Sequence, residues 1–267
     1  MTHEPELFEP VDLCATDGRL APAARGWSRR PLHRANIDGT DIGRNKRWDY
    51  WAVLGGDVVV SCVYSDIDVI GLADVWWADL RTGRSGGVGI IAEPGVMHLP
   101  QVCGTADLLV DRDGLRLEID ADTTEGTRLR ATWTEPDGRP ASFDIAVERP
   151  AEMESINVVI PWSEDTFNFT SKQQALHASG VLRVGAETFT IGGETDAWGV
   201  LDVGRGRWPS SIVWNWGGGA GRAGDTIVGL QFGARWTEGT GFVVDDTGRR
   251  VEFDELQGFA EEARQRW

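Results

Sequence analysis

Apolar and polar positions alternate with period two along most of this chain. In "YWAVLGGDVVVSCVYSDIDVIGLADVWWADL", β-branched and aromatic residues take turns with small or polar ones, and Gly55-Gly56 punctuates the run. That period puts one face of a strand on a core and the other outward, so the segment predicts successive hairpins. "ADLLVDRDGLRLEID" repeats the pattern around Asp113-Gly114, and "RLRATWTEPDGRPASFDIAVERP" around Pro136-Asp137-Gly138. More strands are expected in "GVLRVGAETFTIGG", "TIVGLQFGARW" and "TGFVVDDTGRRVEFDEL". One window reads as helical: "ELQGFAEEARQRW" predicts a short C-terminal helix, with Gly258 weakening its start.

Short strands at turn-punctuated intervals, with 34 glycines to serve the turns, predict an all-β, mainly antiparallel fold, either a barrel or a sandwich. The least periodic bridge is "ERPAEMES", where Pro150 interrupts a strand and charge accumulates up to Glu154. A boundary there divides the chain into β-rich halves, 1–150 and 151–267.

Composition narrows the partners. The 42 acidic and 26 basic residues give a net charge of −16, which repels phosphate backbones and anionic headgroups. Nucleic acid is therefore not expected, and Arg29, Arg30, Arg34, Arg44, Lys46 and Arg47 read as a solvated basic loop pairing with surplus carboxylates, with an anion site as the alternative. Apolar runs are strand-sized, well short of the roughly 20 residues of a membrane span, so no stable membrane insertion is expected. "MTHEPELFEPVDL" has no secretory pattern, and Cys14, Cys62 and Cys103 are an odd, scattered set, which together imply reduced thiols and a cytoplasmic location.

Familiar chemistries are missing from the sequence. There is no nucleophile elbow, phosphate loop or zinc-protease helix motif, and His3, His33, His98 and His177 are dispersed. Neither a metal nor an organic cofactor is called for. "GGGAGRAG", from Gly217 to Gly224, reads as a flexible hairpin loop and not a nucleotide site.

Thirteen tryptophans against two tyrosines are the stronger signal. Trp27, Trp51, Trp133 and Trp267 are accounted for as core. Trp214 and Trp216 share one strand face with Asn215 on the other, and with Trp198 and Trp208 they are expected to wall an apolar cavity. Charge among these residues has to be paired: Asp196, Asp202, Arg205 and Arg207 lie between apolar neighbours, where an Asp–Arg bridge is expected, either structural or facing a pocket. "FNFTSKQQ" places Thr170, Ser171, Lys172 and Gln173 after an aromatic strand, as a capped turn or the polar end of a pocket. Asp66 and Asp68 read as a wet strand face or a coupled acid/base pair.

The leading expectation is a binding protein for a hydrophobic small molecule such as a lipid, isoprenoid or pigment. Trp198, Trp208, Trp214 and Trp216 form its apolar wall, and Asn215, Lys172 and Arg205 its polar contacts. The alternatives are a cofactor-independent hydratase, isomerase or cyclase using Asp202 or Asp196, and carbohydrate binding by indole stacking.

Several phrases resemble one family: "GRLAPAARGWSRRPLHRANI", "KRWDYWAV", "SDIDVIGLADVWWADLRTG", "ERPAEMESINVVIPWSEDTFNFTSKQQALHASG", "AWGVLDVGRGRWP" with "WNWGGG", "RWTEGTG" and "GFAEEARQRW". Together they span nearly the whole chain and are similar to the domain of unknown function 2804 family. The resemblance implies a β-rich architecture like the two-barrel, lipocalin-like fold of carotenoid hydratases, and carries no catalytic residues. In that family's pattern a further segment follows the counterpart of "RWTEGTG". Here Gly241 runs directly into Phe242. A second half shortened at that point would leave a sheet edge open to a partner chain, as in a homo-oligomer.

Overall fold

The computed structural model describes residues 4–37, 44–234, 243–244, 250–251 and 256–266. The chain forms two compact units, Met1–Pro209 and Ser210–Trp267, so residues 150–154 lie inside the first. That unit begins with β1 (Val11–Asp12), β2 (Trp27–Ser28) and β3 (His33–Arg34), of which β1 and β3 pair in parallel. A meander follows: β4 (Asn45–Gly55), β5 (Val58–Asp66), β6 (Gly71–Asp79) and β7 (Arg84–Ala92). A second comprises β8 (Leu108–Arg112), β9 (Leu115–Ile119), β10 (Thr127–Thr134) and β11 (Pro140–Val147). β12 (Ile156–Pro161), β13 (Phe167–Val184), β14 (Glu187–Ile191) and β15 (Trp198–Arg207) complete it.

The predicted turns form because their residues accept positive φ. Gly56 (73°), Asp113 (51°), Gly114 (83°) and Gly138 (88°) close the β4–β5, β8–β9 and β10–β11 hairpins. Strand order is β7-β6-β5-β4-β15-β13-β11-β10-β9-β8, with β12 and β14 also paired to β13 and β2 to β12. This long antiparallel sheet curls into a nearly closed, lipocalin-like barrel. Its inner face buries Trp51, Trp77, Trp133, Phe143, Leu201 and Val203 with many aliphatic neighbours. Where β6 and β7 approach β10, Glu135 accepts hydrogen bonds from the indoles of Trp77 and Trp133, both 2.8 Å, and from the Gly87 amide at 3.3 Å.

β13 serves both ends of the barrel. Its register shifts between Gln173 and Leu176, and Ala175 adopts φ 58°. Before this bulge β13 pairs with β12, and after it with β11 and β14. The residues of "FNFTSKQQ" thus lie in a strand, not a capped turn. The N-terminal segment covers one end, packing Leu13, Leu20, Ala24, Ala35 and Ile37 on Val159, Phe167 and Phe169. All three cysteines are free.

In the second unit β16 (Ser211–Ala223) is the centre of a three-stranded antiparallel sheet with β17 (Thr226–Ala234) on one side. β18 (Val243–Val244) and β19 (Arg250–Val251) make a separate short ladder. The other side of β16 is taken by β20 (Gln257–Arg266). The expected C-terminal helix is therefore a strand. Pairing with ten residues of β16, and edge-on contact of Phe259 with Trp216 at 4.5 Å, override the helix propensity of its Ala, Glu and Arg. Gly217 to Ala223 are likewise strand residues and not a loop. A side chain at Gly217 would meet the Phe232 ring at 2.5 Å, so glycine there permits close packing. Trp267 and the Gly241–Phe242 junction lie outside the described residues. Among the described residues there is one short 3-10 turn, Pro22–Ala24, and no helix long and apolar enough to cross a membrane.

Candidate functional site

β15 lies between β4 and β13, and all ten of its residues are buried. Because side chains alternate, Leu201, Val203, Arg205 and Arg207 face the barrel interior, while Trp198, Val200, Asp202, Gly204 and Gly206 face away from it. The expected site residues are separated by this alternation.

On the inner face Arg205 donates to the carbonyls of Trp48 and Gly204 at 2.6 and 2.9 Å and pairs with Asp49 at 2.6 Å. The bridge expected within 196–207 is thus made across strands, to β4. Arg207 donates to the Gly18 carbonyl at 2.7 Å and lies over the Phe167 ring, which ties the N-terminal segment to the barrel. His33 stacks on Phe169 at 4.6 Å, its Nε2 is 2.9 Å from the Ala24 carbonyl, and burial lowers its pKa.

On the outer face the register sets Tyr50, Asp202 and Lys172 side by side on β4, β15 and β13. Lys172 Nζ lies 2.6 Å from Asp202 Oδ1, which also accepts from Thr170 Oγ1 at 3.3 Å, and all three side chains are buried. The next cross-strand row is Trp48, Gly204 and Thr170. Trp48 lies across Gly204, where an added Cβ would meet its ring carbons at 2.0 Å. Trp208 contacts Trp48 and Trp162 edge-on at 5.2 and 5.3 Å and donates to Asn168 Oδ1 at 3.2 Å. Aromatic surface and a small polar group therefore share one continuous face.

Trp198 shares that face but not that place. Ten residues of strand put it about 33 Å from Trp208, where it meets His177 edge-on at 5.7 Å while Asp196 approaches His177 Nε2 at 3.5 Å. Trp214, Asn215 and Trp216 belong to the second unit. There Trp216 is buried, donates its indole N–H to Glu261 and meets Phe259 edge-on, whereas Asn215 is exposed. Asp66 pairs with Arg47 at 3.3 Å, and Asp68 sits in a turn at φ 74°, so these two do not form a carboxylate pair on one strand.

Trp48, Tyr50, Asn168 and Trp162 join Lys172 and Asp202 without having been singled out. The alternation in "KRWDYWAV" put Trp48 and Tyr50 on one face, but only the register with β15 shows what stands beside them. Asp74, also outward, lies on the same cross-strand row through Val63. It keeps surface exposure, yet the surrounding protein withholds water and pushes its carboxyl up to about 6. Among the described residues no three His, Cys, Asp or Glu side chains converge as metal ligands would.

These features define an antiparallel β-barrel protein whose outer face carries an aromatic cluster and a buried ion pair. A family model described as a domain of unknown function (DUF2804) matches residues 4–241, and the chain belongs to that family. Among solved structures it is similar to an AttH protein from Nitrosomonas europaea, with a TM-score of 0.44 and 12% identity over 84% of this chain and 68% of that one. It is also similar to kievitone hydratase from Nectria haematococca, with a TM-score of 0.42 and 14% identity over 83% of this chain and 64% of that one. No curated protein sequence matches it.

Proposed function

We propose that this protein binds a hydrophobic small molecule bearing a polar group, using the outer face of β4, β13 and β15. The apolar body would lie against Trp48, Trp208 and Trp162, and the polar group would meet Lys172, Asp202 and Thr170. In this reading Arg205 acts from behind, holding β4 against β15 through Asp49, and takes no part as a polar contact.

The observation that supports this reading is the buried Lys172–Asp202 pair within an aromatic face. Desolvating two charges costs several kcal/mol each, so such a pair is seldom the most stabilising way to fill the space. Recognition of a polar group is a reason to retain it.

The double variant Lys172→Met with Asp202→Leu tests this. Farnesol titration followed by tryptophan fluorescence should show saturable binding to the parent protein, weakened about 10-fold or more in the variant while melting stays cooperative. Native mass spectra before and after denaturation report any copurified ligand. Unchanged farnesol affinity in a folded variant would assign the pair a structural role and overturn the reading, as would the absence of both farnesol binding and a releasable mass.

A further inference from the structure

A second site lies elsewhere on the first unit, on the outer face of β9, β10, β11 and β13, where a groove of about 340 Å³ opens. Cross-strand pairing builds it. Arg183 on β13 stands opposite Ser142 on β11, Ser142 opposite Thr132 on β10, and Thr132 opposite Arg116 on β9. The two short hydroxyl residues form a low floor between taller charged side chains. Arg130 lines the groove from the adjoining row, with Glu118 and Asp144 beside it.

The cations are not equivalent. Arg116 is held by Asp111 at 2.7 Å and by Glu118, and Arg130 by Glu118 at 2.9 Å and Asp120 at 2.6 Å. Asp144 is taken by Arg128, which reaches it at 2.6 and 2.7 Å and keeps its carboxyl low. Arg183 has no such partner: it is exposed and close enough to Asp144 to add to its field, but its side chain makes no ion pair or hydrogen bond among the described residues. The hydroxyls of Ser142 and Thr132 are likewise uncommitted. Three arginines and two carboxylates line the groove, and the partners just outside it, Asp111, Asp120 and Arg128, bring the cluster to four of each sign, with Arg183 the arginine that no carboxylate holds among the described residues.

We infer that this groove binds a small oxyanion, a carboxylate or phosphate group, between the Arg183 guanidinium and the hydroxyls of Ser142 and Thr132. A guanidinium presents paired N–H donors matched to such groups, and hydroxyls supply the remaining donors. Arg116 and Arg130 are neutralised by their own carboxylates, so they frame the groove and the charge offered to the anion is that of Arg183. The site is independent of the Lys172–Asp202 face.

Isothermal titration of the full chain with inorganic phosphate and, separately, with succinate is the test. Arg183→Ala and Ser142→Ala are the site variants, and Arg81→Ala, an exposed arginine of the β6–β7 turn, controls for loss of one charge. Saturable binding of either anion at about 1 mM or tighter, weakened at least 10-fold in Arg183→Ala and unchanged in Arg81→Ala, is expected. Whichever anion binds names the group recognised. Binding of neither anion, or equal weakening by Arg81→Ala, would overturn the inference, because the groove would then be an ordinary salt-bridged surface.

Discussion

At the scale of single residues, Asp74 is a surface carboxyl whose pKa the neighbouring protein raises. Its carboxyl is pushed up to about 6, above its ordinary value of 3.8, so between those two values the folded protein holds a proton that the unfolded chain has released. Stability from this group is fully present below about pH 4 and is lost as pH rises through 6. Asp74→Asn should abolish that slope: chemical denaturation from pH 4 to 8 should show parent and variant converging at the acid end, with the variant more stable at the alkaline end. An unchanged pH profile would mean that Asp74 is fully hydrated. Arg205 makes the complementary point. The sequence announced a charged residue needing a partner but not which face it took, and the partner, Asp49, lies on a strand more than a hundred positions earlier.

Elements were legible to different depths. Hairpins marked by Gly56, Asp113-Gly114 and Gly138 could be read because turn chemistry and strand period are local. β20 was missed because its strand character comes from β16, and the sequence of a helix former does not name its neighbour. The candidate face was half legible: Lys172, Asp202 and Trp208 stood out by type, while Trp48 and Tyr50 joined them only through register and Trp162 only through its ring contact with Trp208. The β13 bulge carries its own test. Ala175 holds φ 58°, a conformation that costs an L-residue roughly 1–2 kcal/mol. Glycine has no such penalty but loses more entropy on folding, so Ala175→Gly should raise stability by up to about 1 kcal/mol. A lower melting temperature would show that the Ala175 side chain contributes packing exceeding the strain.

For the first unit as a whole, closure depends on one carboxylate. Glu135, buried, collects two indole donors and a backbone amide where β6, β7 and β10 meet. Glu135→Ala would leave those donors buried without acceptors, at roughly 1–3 kcal/mol for each one unsatisfied. The expected outcome is a loss of about 3 kcal/mol, with amide exchange accelerating first in β7. Uniform acceleration across the barrel would show that the seam is not its weak point. The central strand has a consequence for synthesis. β15 pairs residues 198–207 with residues 45–54, so β4 is made long before this neighbour. At 5–20 residues per second the ribosome takes on the order of 10 s to deliver that neighbour. Throughout that interval β4 has one edge without its native partner, so non-native strand pairing competes for it until residues 198–207 emerge.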